Sequence, residues 1–343
     1  MTPIRVLVID DSAFMRKAIS LMLQTDPGIR VVDTARDGEE GIEKIKQFHP
    51  DVVTLDIEMP RMEGLAALER IMKDHPLPVL MVSSQTLEGA DITLRALEVG
   101  AMDFVAKNAP QGGLDVLKIQ GELVRKVRAI AHQRVRRPPF LALPPSPRRG
   151  PRTTREVDLV VIGASTGGPP ALQAIVGALP GDFPCGVVVV QHMPPGFTAS
   201  LAERLDSLSA LTIREAASHD RIEPGHVLVA PGGWHLLLRQ AGRAMEVELA
   251  EEPRDTLHRP SVDVTFASAA QLHGRRALAV VLTGMGSDGL EGVRAIKAAG
   301  GKALVQDEES CVVYGMPRAV AEAGLADAVV PLAGLPQEIL HAL

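Results

Sequence analysis

The 343 residues are 46% hydrophobic and 23% charged, which excludes a wholly disordered or collagen-like chain and, at about 100–200 residues per domain, predicts two domains. No apolar run reaches the roughly 18 residues needed to span a bilayer, and the opening Met1-Thr-Pro-Ile-Arg5 lacks the apolar stretch of a secretory signal, so a cytoplasmic location without membrane insertion is expected. Two cysteines, Cys185 and Cys311, are too few for a disulfide framework or a four-thiolate zinc site, and their apolar neighbours predict buried thiols.

In chain order, short apolar runs alternate with helical patterns: Ile4–Ile9 then Ala13–Leu23, Val31–Val32 then Glu39–Phe48, Val52–Leu55 then Leu65–Met72, Leu77–Val82 then Ile92–Val99, Phe104–Ala106 then Leu114–Ile130. Parallel strands need crossovers, and continuous β-branched runs are buried on both faces, so five strand-helix pairs predict a parallel sheet. The net charge of −6 is unevenly spread, because residues 125–155 carry ten Lys or Arg and no acid, between flanks of net −7 and −9. The same stretch holds Pro138, Pro139, Pro144, Pro145, Pro147 and Pro151, which favour extended backbone and predict a linker. A basic run can bind nucleic acid, but Phe140 is its one aromatic, so a solvated or domain-contacting linker is expected and no nucleic-acid partner.

Beyond the linker the alternation resumes with Leu159–Ile162, Val187–Val190, Leu278–Leu282 and Ala303–Val305. Shorter strands and turns between about Ala210 and Leu249 read as antiparallel. A second, doubly wound and mainly parallel α/β domain is expected.

The first strand runs into Asp10 and Asp11 and the third ends at Asp56, so three carboxylates gather at the carboxyl edge of one sheet. Such a cluster suits a hard divalent cation with oxygen ligands, magnesium above all. The fourth strand delivers Ser83 and the fifth Lys107 to the same edge, a hydroxyl and a cation where a phosphoryl group on Asp56 would need partners.

Val6-Leu-Val-Ile-Asp-Asp-Ser-Ala-Phe-Met-Arg16, Leu55-Asp-Ile-Glu-Met-Pro60 with Gly64, Val79-Leu-Met-Val-Ser-Ser84 and Gly100-Ala-Met-Asp-Phe-Val-Ala-Lys107 resemble the receiver domain of two-component response regulators. The resemblance implies a flavodoxin-like (βα)5 fold over residues 1–125 and phosphorylation of Asp56 by a histidine kinase. It also implies magnesium held by Asp10, Asp11, Asp56 and the Glu58 carbonyl, with a switch made of Ser83, Phe104 and Lys107. Receivers usually carry Lys-Pro after the last strand; here Asn108 follows Lys107, and Pro110 comes two positions later.

In the second domain, residues 156–343 beyond a linker at 126–155, the strand Leu159–Ile162 ends in Gly163-Ala-Ser-Thr-Gly-Gly-Pro169, with an apolar helix expected over Ala171–Leu179. Taken alone, the turn could present Ser165 as a nucleophile or cradle a phosphate. Val187–Val190 leads to His192, and Leu278–Leu282 leads to Thr283-Gly-Met-Gly-Ser-Asp-Gly289, so Ser165, His192 and Asp288 all leave carboxyl ends of parallel strands. Serine attacks an acyl carbon near neutral pH only with an imidazole to take its proton and a carboxylate to hold that imidazole. Asp288 before Gly289 could instead cap the following helix. The other histidines, including His219, His226, His235 and His258, show no paired ligand spacing, which argues against a zinc hydrolase.

Ile162-Gly-Ala-Ser-Thr-Gly-Gly-Pro169, Gln191-His-Met-Pro194, Val229-Ala-Pro-Gly-Gly-Trp-His235, Arg259-Pro-Ser-Val-Asp263, Leu282-Thr-Gly-Met-Gly-Ser-Asp-Gly289 and Ala303-Leu-Val-Gln-Asp-Glu-Glu-Ser-Cys311 with Gly315-Met-Pro317 resemble the catalytic domain of the chemotaxis receptor methylesterase family. The resemblance implies demethylation of receptor glutamate esters and deamidation of receptor glutamines, with no cofactor in this domain. Ser165 is then the nucleophile, His192 the base and Asp288 its orienter, with the Met285 N–H on the oxyanion and Thr166 supporting His192. With both domains in one chain, an unphosphorylated receiver is expected to mask the Ser165 cleft. Two rivals are a non-enzymatic regulator, which the acidic second domain disfavours, and the same esterase in a chemosensory pathway other than swimming.

Overall fold

Aliphatic runs closed by Asp, Gly and Pro form the strands, and the amphipathic stretches between them form the helices. The computed structural model describes residues 2–83, 87–107, 113–131, 133 and 156–343, in two units comprising residues 1–139 and 140–343.

The first unit runs β1 (Ile4–Ile9), α1 (Ala13–Leu23), β2 (Ile29–Ala35), α2 (Gly38–Phe48), β3 (Val52–Asp56), α3 (Gly64–Asp74), β4 (Val79–Ser83), α4 (Leu87–Val99), β5 (Asp103–Ala106) and α5 (Gly113–Ile130). Its sheet is parallel, in the order β2-β1-β3-β4-β5. Strand order reverses between β1 and β3, the place where such sheets open a crevice at their carboxyl ends. Every residue of β3 and β4 is buried, as helices on both faces require.

The expected domain end at residue 125 falls inside α5. Leu123, Val127 and Ile130 are buried at helical spacing, so the apolar stripe carries the helix past the expected start of the linker. Lys126 is therefore no linker charge. Its Nζ donates to the Phe104 carbonyl at 2.6 Å, pairs with Asp103 at 3.1 Å and Glu122 at 2.8 Å, and sits 5.2 Å from the Phe104 ring centroid. Asn108, Pro110 and the Pro-rich residues 134–155 lie outside the described residues.

The second unit runs β6 (Leu159–Ala164), α6 (Gly168–Val176), β7 (Gly186–Gln191), α7 (Phe197–Leu208), β8 (Thr212–Glu215), β9 (His226–Val229), β10 (His235–Ala241), β11 (Ala244–Ala250), α8 (Val262–His273), β12 (Ala277–Val281), α9 (Leu290–Ala298), β13 (Lys302–Gln306), α10 (Met316–Glu322), β14 (Ala328–Val330) and α11 (Leu335–Ala342). The main sheet has the order β14-β13-β12-β6-β7-β9-β8. The chain enters at β6, builds outwards through β7, and returns to build the other half from β12, so the switch point lies beside β6.

β8 and β9 are not antiparallel: they pair in parallel with each other, and β9 pairs in parallel with β7, while only β10 and β11 form an antiparallel hairpin. The segment joining β8 to β9 is too long for a tight hairpin and bridges to β11 through Arg221 and Glu246. α6 also starts earlier than expected, at Gly168. Among the described residues no helix is long and apolar enough to cross a membrane.

Candidate active site and carboxylate pocket

β6 and β7 align Ala164 with Gln191, and the His192 N–H donates to the Ala164 carbonyl at 3.1 Å. Ser165 and His192, the next residue of each strand, therefore leave the sheet side by side. Ser165 N–H donates to Thr283 O at 3.0 Å, which joins this turn to the end of β12. Gln191 Nε2 donates to the Ser165 carbonyl at 2.9 Å and to the His192 carbonyl at 3.2 Å. The Thr283 hydroxyl donates to Thr166 O at 2.9 Å and accepts from Val312 and Val313 N–H, both at 3.0 Å. A Cβ at Gly284 would lie 2.8 Å from Ser165 Cβ and would overlap Met316 Sδ, so only glycine lets this loop approach the serine so closely.

Asp288 reaches the site from the same loop. Its Oδ2 lies 2.7 Å from His192 Nε2, which assigns the Nε2 proton to this hydrogen bond and leaves Nδ1 with the free lone pair. Nδ1 is buried and has no partner among the described residues. Burial opposes ionisation of Asp288, but the His192 hydrogen bond and charge, with the Asp263 and Val262 N–H groups, hold its carboxyl well below the usual range. The alternative that Asp288 caps α9 does not hold, since its oxygens accept from Ser261, Val262 and Asp263 at the start of α8.

The His258 ring stacks on His192 with centroids 4.0 Å apart and planes 18° from parallel. Sequence spacing gave no sign of this pair. Met285 is half-buried between Gly284 and the Asp288 turn, and its N–H finds no acceptor among the described residues. Hydroxyl, imidazole and carboxylate in this order can transfer an acyl group through the serine. Cys185 is buried and its thiol donates to Val157 O at 3.2 Å. Cys311 is only partly buried, and burial pushes its thiol up to about 12.

In the first unit, carboxylate oxygens of Asp10, Asp11 and Asp56 gather within 4.8 Å of one another, and among the described residues this is the one acidic or metal-ligating cluster of that kind. Lys107 Nζ sits 2.6 Å from Asp56 Oδ2 and 3.1 Å from Asp10 Oδ2. Burial, and the Asp10 charge, push the Asp56 carboxyl up to about 6 despite the opposing pull of Lys107. Three convergent carboxylates with one internal cation form an oxygen donor set that fits magnesium. Glu58 is exposed, two residues past Asp56 in the turn before α3. Ser83 Oγ is buried, donates to Gly89 O at 3.3 Å and accepts from Thr93 Oγ1 at 2.8 Å. Phe104 is buried within β5.

Residues 160–339 match the family model described as CheB methylesterase, and residues 6–116 match that of the response regulator receiver domain. The chain is 49% identical over 366 residues to protein-glutamate methylesterase/protein-glutamine glutaminase 1 of Oleidesulfovibrio alaskensis, covering 99% of each chain. The protein-glutamate methylesterase/protein-glutamine glutaminase of Symbiobacterium thermophilum is 50% identical over 357 residues, covering 99% of this chain and 97% of that one. Among solved structures, the Thermotoga maritima CheB methylesterase catalytic domain matches with a TM-score of 0.54 and 45% identity, over 55% of this chain and 99% of that one.

Proposed function

This chain belongs to the CheB methylesterase family, with a response regulator receiver domain in front of the catalytic one, and from that premise we propose that it hydrolyses glutamate γ-methyl esters of chemotaxis receptors. The parallel register that sets Ser165 beside His192, with Asp288 on the far nitrogen of the ring, carries this reading.

Ser165 Oγ attacks the ester carbonyl carbon as His192 takes its proton at Nδ1, the nitrogen that Asp288 leaves free. The tetrahedral oxyanion forms against the Met285 N–H, Thr166 supports the imidazole, and the C–O bond to the methoxy group breaks as His192 returns the proton, releasing methanol. Water, deprotonated by the same imidazole, then cleaves the acyl-serine and restores the hydroxyl. With a carboxamide in place of the ester the leaving group is ammonia, so selected receptor glutamines are deamidated by the same steps.

Asp56 accepts a phosphoryl group from a histidine kinase, and its phosphorylation raises the esterase rate for sensory adaptation in the cytoplasm. Magnesium, held by Asp10, Asp11, Asp56 and the Glu58 carbonyl, supplies charge neutralisation to the incoming phosphoryl oxygens when bound. Ser83 and Phe104 form the switch, and Lys107 offers the phosphoryl group a cationic partner.

The test is methanol release from methylated receptor by wild type and Ser165→Ala, each with and without magnesium and a small phosphodonor. Release that needs Ser165 and rises with the phosphodonor is expected. No release by wild type from a receptor shown to be methylated and drawn from the same pathway would refute the reading.

A further inference from the structure

Asp288 is held from outside its own loop. The first N–H groups of a helix have no intrahelical acceptor, and at the start of α8 two of them point at this carboxylate. Val262 N–H donates to Oδ2 at 2.8 Å and Asp263 N–H to Oδ1 at 2.9 Å, joined by the Ser261 hydroxyl on Oδ1 at 2.9 Å.

The arrangement is reversed at the next helix. α9 has Gly289 as its cap residue, which offers no side-chain acceptor. Asp263 supplies the acceptor instead, its Oδ1 taking the Gly289 N–H at 2.9 Å and the Gly292 N–H at 2.7 Å. Each aspartate thus caps the helix start from which the other projects. The two helix starts must lie very close for this, and Gly292 permits it: a Cβ there would overlap Phe266 Cβ and come within 3.1 Å of Asp263 Cα.

We infer that Asp263 is a positioning residue for the hydrolysis: by holding Gly289 and Gly292 it fixes the loop that carries Asp288, and through Asp288 it sets the orientation of the His192 ring. This rests on the reading of Asp288 as the partner that orients the base. What the loop needs at position 263 is an accepting oxygen more than a charge. Burial and the Asp288 charge push the Asp263 carboxyl up to about 6, against the opposing Gly292 and Gly289 N–H groups, and the neutral acid retains the accepting oxygen. Asparagine keeps that oxygen in place, while alanine removes it.

The experiment compares full-length wild type, Asp263→Ala and Asp263→Asn by two readouts. The first is the downfield ring-proton resonance of His192 Nε2–H bonded to Asp288, assigned by its loss in His192→Gln. It reads the pair whether or not any ester is cleaved. The second is methanol release per folded molecule, the folded fraction being set by circular dichroism. Asp263→Ala is expected to lose or shift the resonance and to lower kcat about 10- to 100-fold with KM within about two-fold, the scale of a misplaced catalytic group. Asp263→Asn is expected to recover most of both. A wild-type resonance and kcat in folded Asp263→Ala overturns the inference, as does equal loss in Asp263→Ala and Asp263→Asn. If wild type releases no methanol but its resonance depends on residue 263, the esterase reading fails and the positioning role stands.

Discussion

Lys107 Nζ lies between Asp56 Oδ2, at 2.6 Å, and Asp10 Oδ2, at 3.1 Å, so one ammonium serves two carboxylates that are both almost wholly buried. With Asp11 beside them, the pocket holds more negative charge than its own cation neutralises. The excess suits a divalent ion, and it is a cost to the folded receiver.

Removing one of the three charges should therefore stabilise the first unit. Asp56→Asn leaves Lys107 its Asp10 partner and is expected to raise stability by about 1 kcal/mol, roughly 3–6 °C in melting temperature in the presence of a chelator. The same variant should lose the esterase response to phosphodonor. Calorimetry that finds no gain would mean that Lys107 already balances the pocket.

Asp288→Asn keeps the shape of the residue and removes the charge that selects the Nε2–H tautomer of His192. Methanol release is expected to fall about 10⁴-fold, the scale seen when such a carboxylate is neutralised. The pH dependence has a definite sign. A carboxyl held below its unfolded value of 3.8 contributes stability above that pH and loses it on acidification. The part of the wild-type stability that comes from this ionised carboxylate should be lost as the pH falls below about 4, as chemical denaturation of wild type and Asp288→Asn at a series of pH values will show.

Lys126 anchors α5 to β5 through Asp103 and the Phe104 carbonyl. Lys126→Met removes one cationic partner of the buried Asp103 carboxylate, 3.1 Å away, and is expected to cost up to about 3 kcal/mol. Urea unfolding should show the receiver transition shifted to lower denaturant. A receiver as stable as wild type would return Lys126 to the status of a solvated linker charge.

Gly284→Ala puts a methyl group against Ser165 Cβ and Met316 Sδ. Overpacking of this kind costs about 1–3 kcal/mol, and displacement of the nucleophile is expected to lower kcat about 100-fold with KM little changed. Steady-state kinetics beside a thermal melt separate the two effects, and an unchanged kcat would show that the serine turn moves independently of the loop after β12.

The residues at strand ends were legible because a parallel sheet delivers every carboxyl terminus to one edge. Asp10, Asp56, Ser83 and Lys107 in the first unit, and Ser165, His192 and Asp288 in the second, needed only strand order to be brought together. Shortness misled at β8 and β9, where brief strands suggested hairpins although the connection joins parallel neighbours. Counting charge alone puts Lys126 in the basic linker, whereas the period of Leu123, Val127 and Ile130 places it on a packed helix. His258 and Asp263 carry their contacts far along the chain, Asp263 to partners 25–29 residues away, and no local pattern encodes that. The one available signal was Ser261 followed by an acid in the first turn ahead of an apolar helix, a cap pattern that marks the start of α8.

The stacked His258 ring has a bearing on the traffic of small molecules through the site. One face of the imidazole is covered at a centroid distance of 4.0 Å and its Nε2 is tethered to Asp288, which hold the ring in one orientation. In the proposed mechanism the proton picked up at Nδ1 therefore departs from Nδ1. Methanol or ammonia would then vacate the place beside Nδ1 that the hydrolytic water fills, and a product that lingers there would delay the second half-reaction.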